Sequence, residues 1–82
     1  DGQLYTGSVI VAGASLDLVA TNTYTAKLYN GTSTSGTLFA VMDQYHPQII
    51  FPDGYNADGG VYADCSWTGT GTGNPAVILY IK

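Results

Sequence analysis

Residues 24–31 read Tyr-Thr-Ala-Lys-Leu-Tyr-Asn-Gly. In an extended chain Tyr24, Ala26 and Leu28 fall on one side, and Thr25, Lys27 and Tyr29 on the other. That period of two is the mark of a strand with one face turned to a core. Asn30-Gly31 follows at once. Both residue types take positive φ at little cost, so the dipeptide predicts a hairpin turn. The polar run from Thr32 to Gly36 either extends the two strands or widens the loop between them. Residues 37–43, Thr-Leu-Phe-Ala-Val-Met-Asp, supply the return strand.

The same alternation continues outward in both directions. Residues 16–20 set Leu16, Leu18 and Ala20 against Asp17 and Val19, and residues 8–12 form a β-branched run that Gly13 closes. Beyond the return strand, Pro47 lacks a donor and biases His46 out of the helical region, so residues 45–47 are a break. Residues 48–51 are a short strand stopped by Pro52, and residues 53–60 are a loop by composition. Val61, Ala63, Cys65 and Trp67 then alternate with Tyr62, Asp64 and Ser66. A Thr/Gly loop spans residues 68–75, and residues 76–81 end the chain as an apolar strand. Seven short runs without a 3.6-residue stripe predict a single all-β domain over residues 1–82. Its expected form is a small antiparallel β-sandwich or jelly-roll-like barrel with no helix.

Composition narrows the function. The 82 residues include no Glu, no Arg, one His, one Cys, two Lys and six Asp. Charged residues make up 10%, against about 25% in an ordinary soluble domain. Disorder is not the consequence, because it requires low hydrophobicity, and here 45% of the residues are hydrophobic. A net charge of −4 argues against nucleic acid as a partner, since phosphate affinity rests on clustered Lys and Arg. An anionic membrane surface is disfavoured on the same ground. No apolar run reaches the ~20 residues of a membrane helix.

Catalytic groups are scarce. General acid–base work most often uses His or a tuned carboxylate, and His46 has no convincing nucleophile or orienting partner nearby in sequence. Cys65 shares its strand face with Val61 and Ala63, where a thiol acts as a small hydrophobe. No catalytic residue and no cofactor are therefore expected. Asp53, Asn56 and Asp58, followed by Gly59, partly echo a calcium loop, but Gly54 stands where such a loop needs its first Asp. With no Glu downstream, an Asx-rich turn explains these residues better, and no metal is expected. Asn30-Gly31-Thr32 fits the N-glycosylation pattern, though the turn accounts for the same residues. The alternating glycines of residues 69–73 lack the Lys of a phosphate loop. Tyr5, Tyr45, Tyr55 and Trp67 could stack sugars or dock a protein.

Two strands carry apolar residues on both faces. Leu38, Ala40 and Met42 oppose Phe39 and Val41, while Val77, Leu79 and Ile81 oppose Ala76, Ile78 and Tyr80. A two-layer sandwich buries only the inner face of each sheet, and a chain this short has no third layer. A neighbouring subunit or a larger body is therefore expected to cover the outer face. A closed barrel or a loop folded over one sheet is the alternative. The candidate interface residues are Phe39, Val41, Tyr45, Tyr55, Ile78 and Tyr80.

An ordered set of short motifs adds a resemblance. Leu28-Tyr29-Asn30-Gly31-Thr32-Ser33, Ser35-Gly36-Thr37-Leu38, Phe51-Pro52, Gly60-Val61-Tyr62-Ala63-Asp64 and Val77-Ile78-Leu79-Tyr80 resemble small tailed-bacteriophage virion proteins. In those, Asp is usual where this chain has Asn30, and Leu where it has Val61. The resemblance covers residues 24–82. It implies a β-sandwich subunit of the head decoration (cement) or head-fibre-base type, located on the virion surface. The implied partners are further copies of the chain and the major capsid protein, and no catalytic residues carry over. Two other functions fit the residues. One is an extracellular carbohydrate-binding or adhesin module using Tyr and Trp. The other is a subunit of an extracellular filament, with residues 8–12 completing a neighbour's sheet.

Overall fold

The computed structural model describes residues 2–17, 23–68 and 76–82. They form seven strands: β1 (Gly2–Tyr5), β2 (Val9–Asp17), β3 (Thr23–Asn30), β4 (Thr37–Asp43), β5 (Gln48–Ala57), β6 (Val61–Thr68) and β7 (Ala76–Ile81). All pair antiparallel, in a four-stranded sheet ordered β1-β6-β3-β4 and a three-stranded sheet ordered β5-β2-β7. There is no helix among the described residues. The chain is an all-β sandwich, as its alternation predicts.

Several boundaries differ from the sequence reading, and each has a local cause. Residues 8–12 and the start of the run 16–20 belong to one strand, because Gly13 lies inside β2 instead of closing it. Both ladders of β2 shift register between Val11 and Gly13, so Ala12 is an extra residue. A bulge of this kind reverses the alternation: Val9 and Val11 are buried before it, Ala14 and Leu16 after it. Read with an unbroken period, such a strand looks like two. Residues 18–20 of the second run lie outside the described residues.

β5 shows the same effect on a larger scale. Val11 pairs with Tyr55 and Gly13 with Ile50, so two steps along β2 match five along β5. The surplus residues bow out of the ladder at Pro52, which has no N–H to lend it, and at Gly54, whose φ of +82° favours glycine. Pro52 interrupts pairing without ending the strand, and the loop expected over residues 53–60 shrinks to Asp58-Gly59-Gly60. The strand β1 was not legible, being four residues long and an edge with a bulge of its own. Between β3 and β4 the loop takes its wider form, residues 31–36.

The core lies between the sheets. Its largest fully buried side chains are Leu28, Met42, Val11 and Val61, joined by Val9, Leu16 and the alanines 14, 26, 40, 57 and 63. Five alanines among eleven buried hydrophobics make a thin core in which each larger side chain carries a large share of the packing. Cys65 is half-buried against this cluster, and burial pushes its thiol above the ordinary value. No polar or charged side chain is buried among the described residues.

Candidate functional site

The outer face of the β5-β2-β7 sheet is the most apolar surface described. Ile50, Gly13 and Tyr80 form one row across it, and Gln48, Ser15 and Ile78 the next. Beyond the bulge, Ile10 stands opposite Asn56. Ile50 is 64% exposed, Ile78 and Tyr80 45% each, and Ile10 39%. These are high values for β-branched and aromatic side chains gathered on one face. None of the eight positions is charged, and Lys82 borders them beside Ile10. The polar atoms of the face meet each other: the Ser15 and Tyr80 hydroxyls lie 3.1 Å apart.

The opposite outer face, on the β1-β6-β3-β4 sheet, differs. Its rows are Gln3, Tyr62, Tyr29 and Leu38, then Asp64, Lys27 and Val41, then Ser66, Thr25 and Asp43. Val41 is exposed there, with Lys27 and Asp64 in the same row. The double-sided apolar reading thus describes β7, where Val77 and Leu79 pack inward and Ile78 and Tyr80 face out. It describes β4 less well. Leu28 pairs with Ala40 and Tyr29 with Leu38, so Phe39 is a bulge residue, and Leu38 parts from the face of Ala40 and Met42.

Phe39 is half-buried and stacks on Tyr55, with ring centroids 4.2 Å apart and planes 10° from parallel. Phe51 lies 6.0 Å from Phe39 and 5.8 Å from Tyr55 in tilted contacts. These rings join β4 and β5, the neighbouring edges of the two sheets, so Phe39 and Tyr55 each spend a ring face inside the molecule. Ile10 and Ile50 were missed in the sequence. Their signal was the one used for β7, a β-branched run without alternation to polar residues.

Tyr45, at 79% the most exposed aromatic among the described residues, tips the turn between β4 and β5. Asp43 builds that turn: one carboxylate oxygen accepts from the backbone N–H of Tyr45 at 2.9 Å and of His46 at 2.8 Å. The same oxygen lies 3.3 Å from His46 Nδ1. These donors, first the His46 backbone N–H, hold the Asp43 carboxyl below its ordinary value of 3.8. A depressed folded value means that the ionised carboxylate supports the turn above the unfolded value, and that this support is lost as pH falls through the folded one. In an NMR acid titration the Tyr45 and His46 amide signals should therefore move together with a midpoint below 3.8. A midpoint at or above that value, or the same movement in Asp43→Ala, would contradict this account.

The remaining sequence candidates have structural positions. Asp53 and Asn56 are exposed on β5. Asp58 accepts a hydrogen bond from the Asn30 side-chain amide at 3.0 Å, and Asn30 Oδ1 accepts from the Gly59 N–H at 2.8 Å. Asn30 and Asp58 thus tie the end of β3 to the β5–β6 turn. No group of three or more His, Cys, Asp or Glu side chains gathers among the described residues. Tyr5 is 36% exposed at the end of β1, and the Trp67 side chain lies outside the described residues. Comparison with protein-family models, curated proteins and solved structures finds no match to this chain.

Proposed function

We propose that the chain is a non-enzymatic structural subunit of a virion, of the capsid decoration or head-accessory type, docked on a larger assembly. The observation that carries this reading is the apolar face of Ile10, Ile50, Ile78 and Tyr80, bordered by Lys82 and with no carboxylate in its rows, on a chain of net charge −4. A free acidic solute gains nothing from concentrating exposed isoleucine on one sheet, whereas a docked subunit removes that surface from water at about 25 cal/mol per Å². Size agrees with this use. The molecule measures 36 × 25 × 16 Å, and a broad face of those dimensions approaches the ~800 Å² per partner of a specific stable interface. The motif resemblance over residues 24–82 supplies the virion as the setting.

The test is to isolate phage particles made with an epitope-tagged copy of the chain and to image them. The chain should be arrayed on the head, and Ile50→Lys, which places a charge mid-face without touching the core, should reduce its occupancy at least ~10-fold. Absence of the chain from particles, or normal occupancy of the variant, would overturn the reading. Glycan binding that disappears with Tyr45→Ala would favour the carbohydrate-binding alternative instead.

A further inference from the structure

The described sheets end in four edge strands, and three of them are defended against pairing with another chain. β1 has four residues and a bulge between Gln3 and Tyr5. β4 is bulged at Phe39, and its aromatic rings engage β5. β5 contains Pro52, Asp53 and the outward bow between Ile50 and Tyr55. Prolines, charges, bulges and short length are the devices that keep strand edges from pairing. β7 has none of them: Ala76–Ile81 is six apolar residues without Pro, Gly or charge.

We infer that β7 is a self-association edge, pairing antiparallel with β7 of a second copy across a two-fold axis at Leu79. Lys82 donates its backbone N–H to the Ile10 carbonyl at 2.9 Å, which fixes which groups of β7 face β2. Alternation along the strand then turns the N–H and C=O of Val77, Leu79 and Ile81 to the open side, where no described strand lies. A two-fold at Leu79 matches Leu79 with Leu79 and Val77 with Ile81, so every open-side group from 77 to 81 finds a partner. On the outer face it sets Ile78 against Tyr80, an aliphatic–aromatic cross-strand pair.

This self-matching register selects a second copy as the occupant, and charge permits it. Two chains of net charge −4 repel unless their contact is uncharged, and β7 brings no like charges together. Lys82 of one copy meets Ala76 of the other. An isologous contact of this kind closes as a dimer. The result is a continuous six-stranded sheet that doubles the apolar outer face, and it holds whatever body that face covers.

Sedimentation of the 82-residue chain at 100 µM or below should show a dimer, with the Val77, Leu79 and Ile81 amides slow in hydrogen exchange. Ile78→Lys with Tyr80→Lys sets like charges directly across the axis and should weaken dimerisation ~10-fold or more. Ile78→Lys with Tyr80→Glu sets opposite charges there and should restore it. Ile50→Lys, on the far edge, should leave the dimer intact even while it removes docking, so the two readings fail separately. A monomer at 100 µM, fast exchange at those three amides in a dimer, an unrestored charge pair, or loss of the dimer with Ile50→Lys would each overturn the inference.

Discussion

Leu28→Ala is expected to cost the fold about 3–5 kcal/mol, the upper part of the range for emptying a buried leucine. Leu28 is fully buried on β3 and flanked in the sheet by Ala40 on β4 and Ala63 on β6. Neither neighbour has atoms that could swing into the vacated space. Beside Leu28 in its own sheet the walls are then backbone and alanine methyls, which relax little, so much of the cavity stays open. Native domains hold about 5–15 kcal/mol in all, and small ones sit near the bottom of that range. The melting temperature should fall by about 12–40 °C, at 4–8 °C per kcal/mol for a domain of this size. Thermal and urea unfolding followed by tyrosine fluorescence would measure it. Val41→Ala is the control, removing aliphatic atoms from an exposed site and costing about 0.5 kcal/mol or less. If the two variants melt within a degree or two of each other, Leu28 is not the centre of the core.

The fold class was legible because alternation survives wherever a strand is regular. Residues 24–30 and 61–66 keep one phase throughout, and Ala26, Leu28, Val61 and Ala63 are buried as that phase requires. Legibility failed at bulges. Ala12, Phe39 and the residues between Ile50 and Tyr55 each insert chain without advancing the ladder. A period-two reading has no way to place such an insertion, because the partner strand defines it. Asn30-Gly31 marks the β3–β4 hairpin, but the width of its loop was not legible. The dipeptide satisfies a tight hairpin, but Asn30 is instead engaged by Gly59 and Asp58 from another hairpin, a tertiary contact that local sequence does not announce.

The candidate surface was half legible. Ile78 and Tyr80 face outward on an apolar face as their positions in β7 suggest, and Val41 and Tyr45 are exposed. Alternation sets Phe39 beside Val41, and residue type alone suggests Tyr55, yet the two rings stack on each other at the joint between the sheets. An aromatic beside a proline or glycine belongs equally well to a docking rim or to a seam. Ile10 and Ile50 completed the face only once β2 and β5 were seen to be neighbours. The shortage of charge had already marked the chain as one that works through its surface. The structure divides the few charges between the sheets: Lys27, Asp64 and Asp43 lie on one, and Asp17, Asp53 and, at the end of β7, Lys82 on the other.

Gly13→Ala should cost the fold about 3 kcal/mol. A Cβ at this position would sit 2.6 Å from the Ile49 carbonyl oxygen and 3.4 Å from the Ile50 Cα. Both are backbone atoms of the neighbouring strand, so no side-chain rotation relieves the clash. The strands must part where β2 and β5 resume pairing after the bulge. Overpacking of this kind costs about 1–3 kcal/mol, with the high end where backbone must move. The φ of Gly13 is not positive, so the requirement is for space and not for a special backbone conformation. Gly2 provides the contrast: a Cβ there meets nothing within 4 Å. Gly2→Ala should be neutral or stabilising by up to about 1 kcal/mol, through the unfolded chain. The Gly13 variant should also lose hydrogen-exchange protection in the β2–β5 ladder first, while β2–β7 amides stay slow. Because Ile50 shares the row of Gly13, the same displacement should weaken the proposed docking at the outer face beyond what the lost stability explains. Equal stability of Gly13→Ala and the parent would mean that β5 does not approach β2 there, and both the bulge and the apolar row built on it would have to be redrawn.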